Sequence, residues 1–133
     1  MYNIKIEENF SSAHNLRGYK GKCEELHGHN WKVEVVVSKE KLDKTGMVLD
    51  FKYLKMKLNK VLEKLDHKYL NNIAYFKKVN PTSENIAKYI YDRLKAQGFR
   101  HKTWRTRQSL WRARLESVTV WESDNSCASY DGE

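Results

Sequence analysis

Three histidines constrain this chain more than any other feature. His14, His27 and His29 fall within sixteen residues and include three of the five histidines in the sequence. Alternate side chains of an extended strand share a face. His27 and His29 are therefore in phase with Trp31, Val33, Val35 and Val37. Upstream, Tyr2, Ile4, Ile6 and Phe10 alternate with Asn3, Lys5, Glu7 and Asn9, and the same phase runs on through Ser12 to His14. If strands over 2–12 and 30–37 pair, three neutral imidazoles converge from neighbouring backbones. That is the ligand set zinc uses when a fourth position stays open for water or substrate. Cys23, separated by three residues from the His27-Gly28-His29 triplet, adds a thiol as nucleophile or base, and Gly28 is small enough to let both imidazoles approach one ion.

Beyond the histidines, Phe51, Leu54, Leu58, Val61, Leu62 and Leu65 keep three- and four-residue spacing and predict an amphipathic helix, with Asp50 as its N-cap or as a partner for a ligand histidine. It runs out at Asp66-His67, an adjacent carboxylate and imidazole read equally as a helix end or as an acid–base pair. Thr82-Ser83-Glu84-Asn85 opens a second helix, with an acid in its first turn, and Gly98 ends it. Residues 115–122 alternate as a third strand and place Glu122 on the face of Val118 and Val120, where a carboxylate needs a partner, either a buried donor or a ligand bearing N–H groups. A short strand over 127–130 closes the chain. The order predicts an α+β fold, a four-stranded antiparallel sheet (ββααββ) with two helices on one face.

At 133 residues and 40% hydrophobic, the chain suits one domain, 1–133. With neither a membrane span nor a signal-like apolar run, it reads as cytoplasmic, and Cys23 and Cys127 read as thiols rather than a disulfide. The net charge of +8 is concentrated: residues 100–114 carry six arginines and lysines and no acid, leaving +2 for the rest.

The stretches Phe10-Ser11-Ser12-Ala13-His14-Asn15-Leu16, Lys22-Cys23-Glu24-Glu25-Leu26-His27-Gly28-His29-Asn30, Gly46-Met47-Val48-Leu49-Asp50-Phe51, Leu65-Asp66-His67, Thr82-Ser83-Glu84-Asn85 and Trp121-Glu122-Ser123 resemble, in order, the motifs of the 6-pyruvoyl-tetrahydropterin synthase family. The three residues between Cys23 and His27 are similar to the branch that makes 6-carboxy-tetrahydropterin for queuosine-type 7-deazapurines, since the pyruvoyl-forming branch has a longer gap. The resemblance implies the tunnelling fold (T-fold), whose open sheets join into an oligomeric barrel with active sites between subunits. It implies zinc on His14, His27 and His29, holding the hydroxylated side chain of 7,8-dihydroneopterin triphosphate. Cys23 would move side-chain protons as a thiolate, with Asp66 and His67 as the partner acid–base pair. Glu122 would anchor the pterin's amino and ring N–H groups, helped by Thr82, Ser83 and Glu84. One region departs from the family pattern, an insertion at about 99–114 with Trp104-Arg105-Thr106-Arg107 and Trp111-Arg112-Ala113-Arg114. Tryptophan interleaved with arginine is a surface that grips single-stranded nucleic acid or a triphosphate. A solvated extension with snorkelling arginines is the favoured reading, so nucleic acid is not the expected partner.

Overall fold

A computed structural model describes residues 1–99 and 113–133, with the side chain of Cys23 outside the described atoms. The Trp/Arg-rich stretch over 100–112 lies outside the described residues, so the expectation of an insertion there is untouched.

The alternating N-terminal pattern forms β1, Tyr2–His14, and the valine-rich stretch forms β2, His27–Lys39. They pair antiparallel along their whole length, from Tyr2 opposite Lys39 to His14 opposite His27. Both strands extend past the expected 2–12 and 30–37, so the histidines lie on the ladder itself. Their inward phase holds: Ile6, Phe10, Ser12, His14, Trp31, Val33, Val35 and Val37 are buried, whereas Lys5, Glu7 and Asn9 are exposed.

The lysine-striped helix α1, Phe51–Leu62, begins at Asp50, whose side chain accepts from the Lys52 N–H. Asp50 thus acts as the expected cap. Leu54, Leu58, Val61 and Leu62 form its buried stripe. Two short elements follow that periodicity did not predict: a two-residue strand, β3 (Lys68–Tyr69), and a single-turn helix, α2 (Ala74–Lys78). Next comes α3, Ser83–Gln97, capped by the Thr82 hydroxyl accepting from the Asn85 N–H at 3.1 Å and stopped at Gly98, whose φ of 67° suits glycine. Strands β4, Arg114–Ser123, and β5, Ser126–Tyr130, complete an α+β fold.

The sheet order is β3-β1-β2-β4-β5, five strands rather than the four expected. The extra strand runs parallel to β1 and touches it only at Ser12 and Ala13. Two residues are too short to show a period of two, which is why the sequence pattern missed it. The inward sheet face packs on Leu54, Leu58, Leu65, Ile86, Ile90 and Leu94, all fully buried. Burying each such side chain stabilises the fold by about 1.5–3 kcal/mol. This layer makes the sheet a rigid floor for the site at the end of β1 and start of β2. Among the described residues no helix is long and apolar enough to cross a membrane. Cys127 is a free, exposed thiol.

Candidate metal centre and active site

The antiparallel register brings the three histidines together. His14 and His27 are ladder partners, and Ser12 opposite His29 puts His29 one inward step further along β2. Ring centroids lie 4.5 Å apart for His14 and His27, 4.8 Å for His27 and His29 and 5.1 Å for His14 and His29. Trp31, fully buried, packs edge-on beneath His14 and His29 and stacks on Phe10, so the floor of the cluster is apolar.

The outer nitrogens fix the tautomers. His14 Nδ1 lies 2.7 Å from the Pro81 carbonyl oxygen, and His27 Nδ1 lies 2.7 Å from that of Glu25. A carbonyl oxygen only accepts, so both Nδ1 atoms donate and each neutral ring keeps its lone pair on Nε2. Those Nε2 atoms face each other at 2.9 Å. Two lone pairs at that separation repel unless a cation lies between them. This is the inward-pointing arrangement of metal-ligating histidines, each backed by a carbonyl on its far nitrogen.

Glu122 lies beside the three imidazoles. β4 pairs with β5 through Trp121 opposite Cys127 and then Ser123 opposite Ser126, so Glu122 is the extra residue of a bulge. Bulges re-aim side chains next to sites, and this one sets Glu122 Oε1 2.8 Å from His29 Nε2 and 3.5 Å from His14 Nε2. Despite that short distance, His29 Nε2 is buried without a well-directed hydrogen bond. Ligand atoms of His14, His27, His29 and Glu122 all lie within 4.8 Å of one another. An orphaned buried nitrogen and two opposed lone pairs fit a bound metal ion held by the three imidazoles. Burial is the main cause that holds the His14 and His29 pKa values below the usual histidine range, with neighbouring imidazoles adding to it and Glu122 opposing it. Rings kept neutral are ready to ligate. Gly28 faces away from the cluster opposite Ala13, and a Cβ there would meet only the Ser12 carbonyl at 3.8 Å, an ordinary contact. Contrary to the sequence reading, crowding around the ion does not require this glycine within the chain.

Asp66 and His67 sit in the turn after α1, stapled to β1 just before His14. Asp66 Oδ1 accepts from the Ser11 N–H at 2.9 Å, and the His67 N–H donates to the Ser11 carbonyl at 2.6 Å. His67 Nδ1 lies 3.0 Å from Asp66 Oδ1. The Ser11 N–H first, and then His67, hold the Asp66 carboxyl below its ordinary range, so it stays ionised at neutral pH. An ionised Asp66 makes Nδ1 of His67 the protonated nitrogen and leaves Nε2 as the proton acceptor, on a side chain 82% exposed. His67 has φ 54°, the left-handed region a non-glycine residue seldom adopts. Such strain persists where surrounding bonds over-determine it. Among the described residues, no hydrogen bond or ion pair joins this pair to the histidine cluster.

The remaining expected site residues fall into two groups. Thr82, Ser83 and Glu84 form the cap and first turn of α3, directly after Pro81, whose carbonyl holds His14. Cys23 lies in a short 3-10 turn, Lys22–Glu24, four residues before His27, and its side chain is outside the described atoms.

A family model described as 6-pyruvoyl tetrahydropterin synthase matches residues 3–133. The chain belongs to this family. A 6-carboxy-5,6,7,8-tetrahydropterin synthase from Synechocystis is 36% identical, with 98% of this chain and 93% of that one covered. A human 6-pyruvoyl tetrahydrobiopterin synthase is 37% identical, over 92% of this chain and 79% of the relative. Among solved structures, the 6-pyruvoyl tetrahydropterin synthase of Caenorhabditis elegans superposes with a TM-score of 0.79 at 29% identity, covering 99% of this chain and 96% of that chain. Membership in the 6-pyruvoyl tetrahydropterin synthase family agrees with the resemblance carried by the six motifs.

Several contributors to the site escaped the sequence reading. Pro81, Glu25 and Ser11 act through a backbone carbonyl or amide, which leaves no motif of its own. Asn71 and Asn80, which pair with the backbone of Asn15 and Arg17, likewise leave no motif.

Proposed function

We propose that the chain is a zinc-dependent 6-carboxy-5,6,7,8-tetrahydropterin synthase, a lyase converting 7,8-dihydroneopterin triphosphate and one water to 6-carboxy-tetrahydropterin, acetaldehyde and triphosphate, in queuosine-type 7-deazapurine synthesis. The observation that carries the metal part is the pair of His14 and His27 Nε2 atoms opposed at 2.9 Å with both Nδ1 atoms committed to carbonyls. His14, His27 and His29 would hold zinc. When bound, it supplies Lewis acidity toward the hydroxylated side chain of the substrate.

The chain's own groups do the rest. Cys23, whose thiol is a competent base only as a thiolate beside positive charge, takes and returns a side-chain proton on one side. On the other, His67 accepts or donates at Nε2 while Asp66 holds its Nδ1–H. Glu122 binds the pterin's amino and ring N–H groups in a two-point, charge-assisted form. Thr82, Ser83 and Glu84 add polar contacts at the start of α3.

The three-residue interval between Cys23 and His27 supports the carboxy-forming reaction over its alternative. That alternative, a 6-pyruvoyl-tetrahydropterin synthase that stops at triphosphate elimination, has the human and nematode relatives in its favour. Residues 1–133 are read as one domain working in a cytoplasmic homo-oligomer. Among the described residues β1 has a second strand neighbour only at Ser12 and Ala13, and β5 is a free edge. Open edges of this length are safest when covered by another copy, which would put the active sites between subunits.

Purified protein incubated with dihydroneopterin triphosphate is expected to release triphosphate, measured by ion chromatography. Release should stop when a chelator strips the metal and return with added zinc. Full release from metal-free protein would remove zinc from the reading.

A further inference from the structure

We infer that Asn71 and Asn80 are positioning residues for the metal centre, two side-chain amides that continue the β1 ladder beyond its last strand residue and fix where His14 points. The inference rests on the reading of His14, His27 and His29 as zinc ligands.

On the edge of β1 where Ser11 pairs with the Asp66-His67 turn, β3 is a partner only at Ser12 and Ala13, so the backbone that follows His14 has no strand partner on that edge. The amides take its place. Asn71 Oδ1 accepts from the Asn15 N–H at 3.0 Å, and Asn71 Nδ2 donates to the Asn15 carbonyl at 2.8 Å. Two residues on, Asn80 Oδ1 accepts from the Arg17 N–H at 3.0 Å, and Asn80 Nδ2 donates to the Arg17 carbonyl at 2.8 Å. Each amide makes the paired N–H and C=O contacts that one residue of a neighbouring strand would make, and residues 15 and 17 keep the two-residue interval of an extended edge.

The same loop also orients the ring. Pro81, next to Asn80, provides the carbonyl that takes the His14 Nδ1–H at 2.7 Å. Backbone and imidazole of His14 are therefore held against one stretch, and a shift between 14–17 and 80–81 would swing Nε2 away from His27. Asn71 is only 7% exposed and comes from the segment that begins with Asp66 and His67. It ties the acid–base turn to the ligand strand.

A clamp of this kind acts on the metal through His14, and loss of such outer partners weakens metal affinity about 10–100-fold. The test measures zinc affinity of the full chain by competition with a chromophoric chelator, and the visible spectrum of the cobalt-substituted protein. Variants are Asn71→Ala, Asn80→Ala and Asp43→Ala. Asp43 serves as comparison because it accepts from the Thr45 N–H and hydroxyl and the Met47 N–H, a similar polar knot on a different loop. Asn71→Ala and Asn80→Ala are expected to bind zinc at least about tenfold more weakly with an altered cobalt spectrum, and Asp43→Ala to match wild type in both. Asn80 is only half-buried, so its variant decides the matter even where Asn71→Ala does not fold. Wild-type affinity and spectrum in Asn80→Ala, or equal losses in Asp43→Ala, would overturn the inference while leaving the zinc site standing. A wild-type chain that takes up no zinc would overturn the site reading and the inference together.

Discussion

His27→Ala is expected to strip the chain of stoichiometric metal and of activity together while leaving it folded. His27 contributes one of three imidazoles, and its Nε2 lies 2.9 Å from that of His14. If His27 is one of the three proposed ligands, its removal should weaken metal affinity by more than the roughly 10–100-fold that follows loss of an outer partner. The fold should survive because His27 is the first residue of β2, only partly buried, and the Trp31, Val33, Val35 and Val37 core below it is untouched. Elemental analysis after dialysis, with circular dichroism as a check on folding, measures this. Unchanged zinc in a folded His27→Ala protein would refute the ligand assignment.

The second large effect concerns proton transfer. His67→Asn is expected to lower turnover by about 10²–10⁴-fold, the usual worth of a positioned general acid or base, with zinc content unchanged. Asparagine is the informative replacement because it tolerates the left-handed backbone that His67 adopts at φ 54°, whereas alanine would add strain of its own. The His67 side chain is 82% exposed and contributes little packing, so a fall in turnover would not reflect unfolding. Steady-state kinetics beside metal analysis separate the outcomes. Near wild-type turnover would take His67 out of the proton path and leave the Asp66–His67 contact as a turn-stabilising pair.

How far these residues could be read in advance follows from which physical signals are local. One face of β1 and β2 is buried and the other wet, so a two-residue period exposes both the strands and the phase of His14, His27 and His29. The stripe of α1 and the caps at Asp50 and Thr82 are equally local, and both caps are present. Glu122 is a mixed case. Its place among valines signalled that it needed a partner, but that the partner is His29 depends on Lys32 lying opposite Trp121 and on the bulge beyond it, neither of which a single strand encodes. The strand β3 and helix α2, at two and five residues, are shorter than the periods that would betray them. Asn71 and Asn80 were invisible for a different reason: an amide that substitutes for a strand looks, in sequence, like any polar loop residue. Pro81 adds the same lesson, since a carbonyl that orients an imidazole belongs to no residue type.

The central claim is the reaction itself, and product analysis by mass spectrometry after incubation with 7,8-dihydroneopterin triphosphate tests it most directly. Equal amounts of 6-carboxy-tetrahydropterin and acetaldehyde, formed only with zinc present, are the expected result. A pyruvoyl pterin without acetaldehyde would contradict the carboxy-forming assignment and select the alternative branch, and recovery of intact substrate from zinc-loaded protein would contradict the enzyme reading altogether.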